Sequence, residues 1–224
     1  MNPLSKCVKL LIVIIFSFSV SACVTTVPRP DYAAYHEHYP KSILVLPPLN
    51  ESLEVTAPYT YLSTISKPLA ECGYYVFPVA VVDAFLKENG LPTPGEMHNI
   101  SLQKIHDIIG ADAVLYVTIE DWGQKYQVLS SNTVIKARAQ LVHVRSGTTI
   151  WSGTQNVVRS SGDGGGGLAG MLIGAIVTQI VNTIADPTHA LAKQANDQMV
   201  FNGHNGLLWG SYNEGEHPSA ICSH

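Results

Sequence analysis

The sequence predicts an α/β (α+β) fold, in which one mixed sheet has a βαβαβ parallel core, an antiparallel hairpin extension and flanking helices. Residues 43–46 are a continuous apolar run, typical of a central strand that is covered on both faces. Strand and helix patterns then alternate as far as Ile119, as expected of parallel strands joined by right-handed crossovers. From residue 135 to 141 apolar and polar side chains alternate strictly, which indicates an antiparallel strand with one exposed face.

The first helix is predicted to begin near Pro58, because proline is favoured in the first helical turn. Its apolar positions share one helical face and are Leu62, Ile65 and Leu69. Pro68 interrupts this pattern and is expected to kink the helix or split it in two, before Gly73 ends it.

The second strand is predicted from Tyr74 to Val82, a stretch rich in β-branched and aromatic residues. Asp83 is expected to cap a short helix, and Ser101 the helix that follows. Residues 113–119 are predicted to form the third strand and to complete the parallel core.

The antiparallel part of the sheet is predicted after Asp121. The strand at 135–141 is expected to pair with residues 149–158 through a turn, and with residues 122–128 on its other side. These elements together predict one folded α/β domain over residues 41–160.

Residues 1–22 have the layout of a secretory signal peptide. Lys6 and Lys9 precede an uncharged apolar stretch, from residue 10 to residue 20, that is too short for a comfortable transmembrane helix. The sequence Val-Ser-Ala-Cys that follows resembles the bacterial lipobox, which consists of an aliphatic residue, two small residues and a cysteine.

The lipobox resemblance implies cleavage after Ala22 and acylation of Cys23, which would anchor the chain in a membrane. An ordinary signal peptide with an incidental cysteine is the alternative. Val24, rather than aspartate, follows the cysteine, and the resemblance to the enterobacterial sorting rule then favours the outer membrane.

Residues 23–40 are predicted to be the lipid anchor and an extended linker that holds the domain off the membrane. Prolines interrupt the stretch, and it lacks apolar periodicity. His36 and His38 have a spacing that could share a metal ion, but no third ligand is near in sequence. A solvated linker is therefore favoured, and no metal is expected.

Two cysteines remain in the predicted mature chain besides the anchor. Cys72 and Cys222 could form a disulfide in the oxidising periplasm and pin the C-terminal end, although the sequence leaves this pairing open. The chain has no CxxC motif, so neither redox catalysis nor a zinc knuckle is indicated.

Residues 161–202 are predicted to contain a Gly-rich loop and C-terminal helices that pack on the domain or on a partner, before a tail at 203–224. The loop lacks the Gly-Lys-Ser/Thr ending of a phosphate-binding loop, so a hinge is favoured. The helix at 168–185 carries no charge and has glycines four residues apart, a spacing that lets helices approach closely. Packing on its own sheet, association with a copy or partner, and insertion into a bilayer all remain open. The candidate association residues are Leu168, Gly170, Met171, Gly174 and Ile176.

Charge and motifs argue against two broad classes of function. Removing Lys6 and Lys9 from 13 basic residues leaves 11 against 17 acidic ones, so the mature chain lacks the basic excess of a nucleic-acid binder. Nine histidines are scattered without an HExxH or GxSxG motif. Catalysis is therefore the minor hypothesis, and neither a catalytic residue nor a cofactor is predicted.

Several phrases of the sequence resemble a family of bacterial outer-membrane lipoproteins of unknown function, over most of residues 23–210. They are the lipobox at Cys23, residues 42–52, Gly73 to Val79, Ile109 to Tyr116, and Ser146 to Trp151. The same phrases are similar to TolB N-terminal-like domains, a group that includes CsgG-like secretion lipoproteins and LpoB-like activators of peptidoglycan synthases. These motifs are mostly structural and imply a fold rather than an active site.

The resemblance implies a lipoprotein anchored in the outer membrane, on its periplasmic face, where it acts as a protein-binding or assembly module. The implied partners are other envelope lipoproteins, CsgG-like ones among them, and a homo-oligomer is also expected. The alternative is an oligomeric component of a CsgG-like secretion or transport system.

Overall fold

The computed structural model describes residues 31–126, 131–160, 187–213 and 219–223. The predicted signal peptide, Ala22 and Cys23 lie outside these residues, as do the Gly-rich loop and the candidate association helix at 168–185. The described helices are α1 (Ala33–His38), α2 (Ala57–Glu71), α3 (Val79–Glu88), α4 (Pro94–His98), α5 (Leu102–Ile108) and α6 (Pro187–Val200). The described strands are β1 (Ser42–Val45), β2 (Leu49–Asn50), β3 (Tyr75–Val76), β4 (Ala113–Tyr126), β5 (Ser131–His143) and β6 (Thr149–Ser160).

The six strands form one mixed sheet in the order β3-β1-β4-β5-β6, and β2 also pairs with β4. β1 is parallel to both β3 and β4, whereas β4, β5 and β6 are antiparallel to one another. This topology confirms the predicted fold class, with its parallel core and antiparallel extension. The predicted pairing of residues 122–128 is confirmed as far as Tyr126, where they continue β4 and lie beside β5.

Both faces of the parallel core are covered by helices. One face packs against α1, α2, α6 and the C-terminal segment, with Ile65 and Leu191 fully buried there. The opposite face packs against α3, α4 and α5, around Leu44 and Leu46. Because β1 is buried on both sides, its continuous apolar run follows directly from its place in the sheet.

Pro68 was predicted to kink its helix or split it in two, and the split is wrong, because α2 is one helix from Ala57 through Glu71. Pro68 lies near the end of α2, so its missing N–H removes only one hydrogen bond close to the terminus. Its ring is buried in the core, and its carbonyl accepts the N–H of Cys72 at 3.1 Å.

The prediction of a strand from Tyr74 to Val82 is also wrong beyond Val76. Pro78 ends the extended segment and is the N-cap of α3, so Asp83 lies inside that helix instead of capping it. Val82 and Leu86 are four residues apart on one helical face, and both are buried against β1. Packing of this helical face overrides the β propensity of the local sequence.

The predicted linker and tail are both structured in part. Within residues 31–40, α1 packs on the domain with Tyr35 fully buried, so this part of the chain is not an extended linker. Leu207 and Leu208, in the predicted tail, are also buried. The structure joins Cys72 to Cys222 by a disulfide, with Cα atoms 5.6 Å apart, and this bond ties the end of the chain to the end of α2.

Candidate protein-binding surface

The loop between β2 and α2 exposes two apolar side chains. Leu53 is 99% exposed and Val55 is 80% exposed, the two highest values among the large hydrophobic residues that the structure describes. The loop follows β1 and β2, so it lies at the edge of the sheet where these parallel strands end, which we call the carboxyl edge.

Hydrogen bonds among polar side chains fix the shape of this loop. The Asn50 carboxamide donates to the Glu54 carbonyl at 2.8 Å and accepts from the Ser52 hydroxyl at 2.7 Å. The Glu54 carboxylate accepts the Thr56 hydroxyl at 2.9 Å and the Thr56 N–H at 3.3 Å. The N–H of Glu51 continues the β2–β4 pairing by donating to the Ile119 carbonyl at 2.8 Å. The backbone between the two apolar side chains is thus held in place before any partner binds.

An ion-pair network borders the loop on the side where β4 and β5 lie. Arg138 lies 2.7 Å from Glu120 and 3.3 Å from Glu51, and Lys136 lies 2.8 Å from Glu120. Hydrogen bonds from Lys136 and Arg138 lower the pKa of Glu120. These side chains are exposed, so the network adds little to stability, but it gives the apolar loop a charged rim.

Tyr59 extends the surface onto the first turn of α2, where it is 56% exposed. Its hydroxyl accepts a hydrogen bond from the Lys87 ammonium at 3.0 Å, and that ammonium lies 5.2 Å from the ring centroid. Lys87 also pairs with Asp83 at 2.6 Å, and the hydrogen bonds to Asp83 and Tyr59 raise its pKa. The Tyr59 ring is therefore oriented by a neighbouring helix while most of it faces solvent.

This arrangement is suited to contact with another protein. Leu53, Val55 and Tyr59 offer apolar and aromatic area, and the polar groups beside them already bond to one another. Burying a leucine or valine side chain contributes about 1.5–3 kcal/mol. Neither Leu53 nor Val55 was among the residues predicted to bind a partner, although the resemblance included Asn50-Glu51-Ser52.

A shallow apolar groove of about 290 Å³ lies between α3 and α5. Phe85, Leu91 and Ile108 are among its lining residues, and Asn89 and Lys104 are the lining residues with polar side chains. The groove shares no lining residue with the carboxyl-edge loop, and its lining is mostly apolar.

Two histidines meet at the edge of the sheet opposite the carboxyl edge. His38 of α1 and His143 of β5 stack with ring centroids 4.2 Å apart, and both approach the Ser146 hydroxyl, at 3.2 and 2.9 Å. The linker histidine His38 is therefore in contact with the domain. In the part of the chain that the structure describes, no three His, Cys, Asp or Glu side chains are placed to hold a metal ion.

Burial lowers the pKa values of His98 and His143, so these two histidines make stability depend on pH. Desolvation lowers the pKa of His98, although the hydrogen bond from its Nε2 to the Pro47 carbonyl at 2.9 Å opposes this shift. Desolvation, followed by the charges of His38 and Arg145, lowers the pKa of His143, against the opposing charge of Asp112.

We expect the free energy of unfolding to fall as the pH drops below about 6.5, because the unfolded chain then takes up protons that the folded state resists. A His98→Gln/His143→Gln variant should lose part of this fall, measured by urea unfolding at about pH 7.5 and about pH 5. An unchanged pH dependence in the double variant would show that other groups cause it.

The structure brings together only one pair of the predicted site residues, Cys72 and Cys222. Ala22, Cys23 and the five candidate association residues of the 168–185 helix lie outside the described residues. None of the helices that the structure describes is both long and apolar enough to span a bilayer.

Comparison with known proteins identifies relatives for most of the chain. A family model described as "Putative lipoprotein GNA1162-like" matches residues 30–212. The "Putative lipoprotein NMB1124/NMB1162" of Neisseria meningitidis serogroup B is 42% identical over 194 residues, which cover 86% of this chain and 90% of that protein.

A solved structure shows the same relationship. The crystal structure of lipoprotein GNA1162 from Neisseria meningitidis is 45% identical and has a TM-score of 0.54, covering 64% of this chain and 100% of its own. A weaker likeness links the chain to the LpoB C-terminal domain from Salmonella enterica, at 22% identity and a TM-score of 0.35. That likeness covers 53% of this chain and 83% of that one.

Proposed function

Because this chain belongs to the GNA1162-like family of lipoproteins, we propose that it is a lipid-anchored, non-catalytic module that binds other proteins of the bacterial envelope. Its mature N-terminus is the acylated Cys23, held in the periplasmic face of the outer membrane. The apolar stretch at residues 10–20, the small residues before Cys23 and the valine after it support this location.

The observation that carries the binding role is the pair Leu53 and Val55 on the hydrogen-bonded β2–α2 loop. Exposed apolar side chains on a preorganised backbone need little ordering when a partner covers them, so more of the burial energy appears as affinity. The Arg138–Glu120–Glu51 network supplies the polar rim that surrounds most protein interfaces. The partner class is therefore an envelope protein with an apolar patch that is rimmed by charge.

We expect Leu53→Asp and Val55→Asp to weaken partner binding at least about tenfold each, since every 1.4 kcal/mol corresponds to about a factor of ten. The measurement is site-specific photo-crosslinking in cells. The crosslinker is placed at position 53 with Val55 as wild type or aspartate, and at position 55 with Leu53 as wild type or aspartate. A discrete adduct is expected from each position, and its yield should fall in the aspartate variant.

Val158 provides the matched control, since it is also an exposed apolar residue but lies on the edge strand β6, away from the loop. A crosslinker at position 158 should not give that adduct, and Val158→Asp should not alter its yield. Equal adducts from positions 53 and 158, or none from position 53, would contradict the proposed surface. Unchanged far-ultraviolet circular dichroism of each variant would exclude unfolding as the cause.

The same experiment separates the second candidate function, an oligomeric component of a CsgG-like secretion or transport system. An adduct between two copies of this chain, together with a large native mass in detergent, would support that alternative. An adduct with a different protein, from a chain that is monomeric in detergent, would support the binding module.

A further inference from the structure

A second exposed surface lies at the amino edge of the sheet, where the parallel strands β1, β3 and β4 begin. Tyr75 opens β3 and is 49% exposed, and its N–H donates to the Lys41 carbonyl at 3.0 Å. Tyr212 is 65% exposed, and its N–H donates to the Gly73 carbonyl at 3.0 Å, two residues from Tyr75. The backbone of Tyr212 is therefore held close to the start of β3, where Tyr75 lies.

Three further aromatic residues at this edge are half-buried and fixed by hydrogen bonds. The Tyr39 hydroxyl donates to the Trp209 carbonyl at 3.1 Å, and the Tyr32 hydroxyl donates to the Gly206 carbonyl at 2.6 Å. We call Tyr32, Tyr39, Tyr75, Trp209 and Tyr212 the amino-edge aromatic surface, because these hydrogen bonds bring their segments to the same edge. The Tyr75 ring also contacts Phe77, with centroids 5.1 Å apart, and the three half-buried residues also pack against the core. Tyrosine and tryptophan combine an apolar ring with a polar group, which suits them to the boundary between water and lipid.

The chain approaches the membrane at this same edge. Asp31 and Tyr32 lie beside Thr149 and Trp151, at the beginning of β6. Cys23 is eight residues before Asp31. Eight residues span at most about 27 Å when fully extended, and about 16 Å as a flexible coil. An anchor at Cys23 would therefore keep the amino edge within that distance of the bilayer.

Charge at this edge neither drives nor prevents contact with lipid. The exposed cations Lys41 and Arg145 are matched in number by the exposed anions Asp31 and Glu37. At the end of α2 Glu71 pairs with Lys67 at 2.6 Å, and the half-buried Asp112 accepts the N–H groups of Lys41 and Ser42. Attraction to anionic headgroups is then small, and the aromatic rings supply the favourable free energy of membrane contact.

We infer that the amino-edge aromatic surface docks on the lipid headgroup region of the membrane that holds Cys23. This inference rests on the acylation of Cys23 in the proposed function. Docking would set the orientation of the domain. β4 rises about 20 Å between Ala113 and Ile119, at about 3.3 Å per residue, so Leu53 and Val55 would point away from the lipid.

The test uses the full mature lipoprotein in liposomes of phosphatidylethanolamine and phosphatidylglycerol with brominated acyl chains, which quench tryptophan at the membrane. Tyr75→Trp and Tyr212→Trp place a reporter on the docking surface. Tyr59→Trp is the matched control, because Tyr59 is also about half exposed but lies at the carboxyl edge. The native Trp122, Trp151 and Trp209 contribute equally to every variant and are subtracted using the unsubstituted protein.

We expect bromolipid to quench the added fluorescence at positions 75 and 212 at least twice as strongly as at position 59, with little change in high salt. Equal quenching at all three positions, with an acylated Cys23 found by mass spectrometry, would overturn docking and leave the anchor in place. A Cys23 that carries no acyl group would instead overturn the proposed function and this inference with it.

Discussion

Replacing Cys72 and Cys222 together by alanine is expected to lower the free energy of unfolding by about 3–5 kcal/mol. The disulfide closes a loop across a sequence separation of 150, and the chain-entropy model gives about 5 kcal/mol for a loop of this length. Both cysteines are fully buried, so the alanine variant also leaves a small cavity.

Denaturant unfolding of the wild type with and without reductant, beside the double alanine variant, measures this effect. The reduced wild type and the variant should have similar midpoint denaturant concentrations, because both lack the cross-link. If reduction left the midpoint unchanged while the variant fell, the cavity and not the cross-link would be responsible. The absence of the bond in the mature protein, seen by mass spectrometry, would contradict the pairing itself.

Gly73→Ala is expected to destabilise the fold by about 2–5 kcal/mol, for two separate reasons. Gly73 has a φ of +83°, where a side chain costs about 1–2 kcal/mol. A Cβ there would also lie 2.7 Å from the backbone nitrogen of Asn213, and such overpacking costs about 1–3 kcal/mol. The carbonyl of Gly73 also accepts the N–H of Tyr212 at 3.0 Å, so the C-terminal segment cannot move aside without losing this hydrogen bond.

Gly90→Ala is the matched control, because Gly90 has nearly the same φ of +84° but no atom within 4 Å of an added Cβ. Its cost should be about 1–2 kcal/mol, from backbone strain alone. Chemical denaturation of both variants gives the difference that is due to the clash. Equal costs would mean that the C-terminal segment does not lie against Gly73 in solution.

Sequence reasoning predicted the sheet well because its signals are local. The apolar run at 43–46 and the alternation at 135–141 reflect burial of each strand on two faces or on one. Ser101 was correctly predicted as an N-cap, since its side chain accepts the N–H of Lys104 one turn away. The helix from Val79 to Glu88 was missed, because contact with β1, distant in sequence, decides between helix and strand there.

The candidate binding surface was beyond sequence reasoning for a related reason. Nothing in the sequence distinguishes Leu53 and Val55 from other apolar residues. Both are exposed in a loop whose backbone is fixed by the hydrogen bonds of Asn50 and Glu54. The contact between His38 and His143 could not be predicted from the sequence either. The two residues are far apart in the chain and meet only when α1 packs on the sheet.

The sequence by itself predicted the lipoprotein signal and the mixed sheet, and it showed the two cysteines available for pairing and no recognised catalytic motif. The tertiary structure alone decided that residues 31–40 and the segment from Leu207 to Asn213 pack on the domain. It also brought Tyr212 to Gly73, two residues from Tyr75, at one edge and left Leu53 and Val55 exposed at the other. Periodicity and motifs record each residue's near neighbours in the chain, whereas a surface is made by segments that folding brings together.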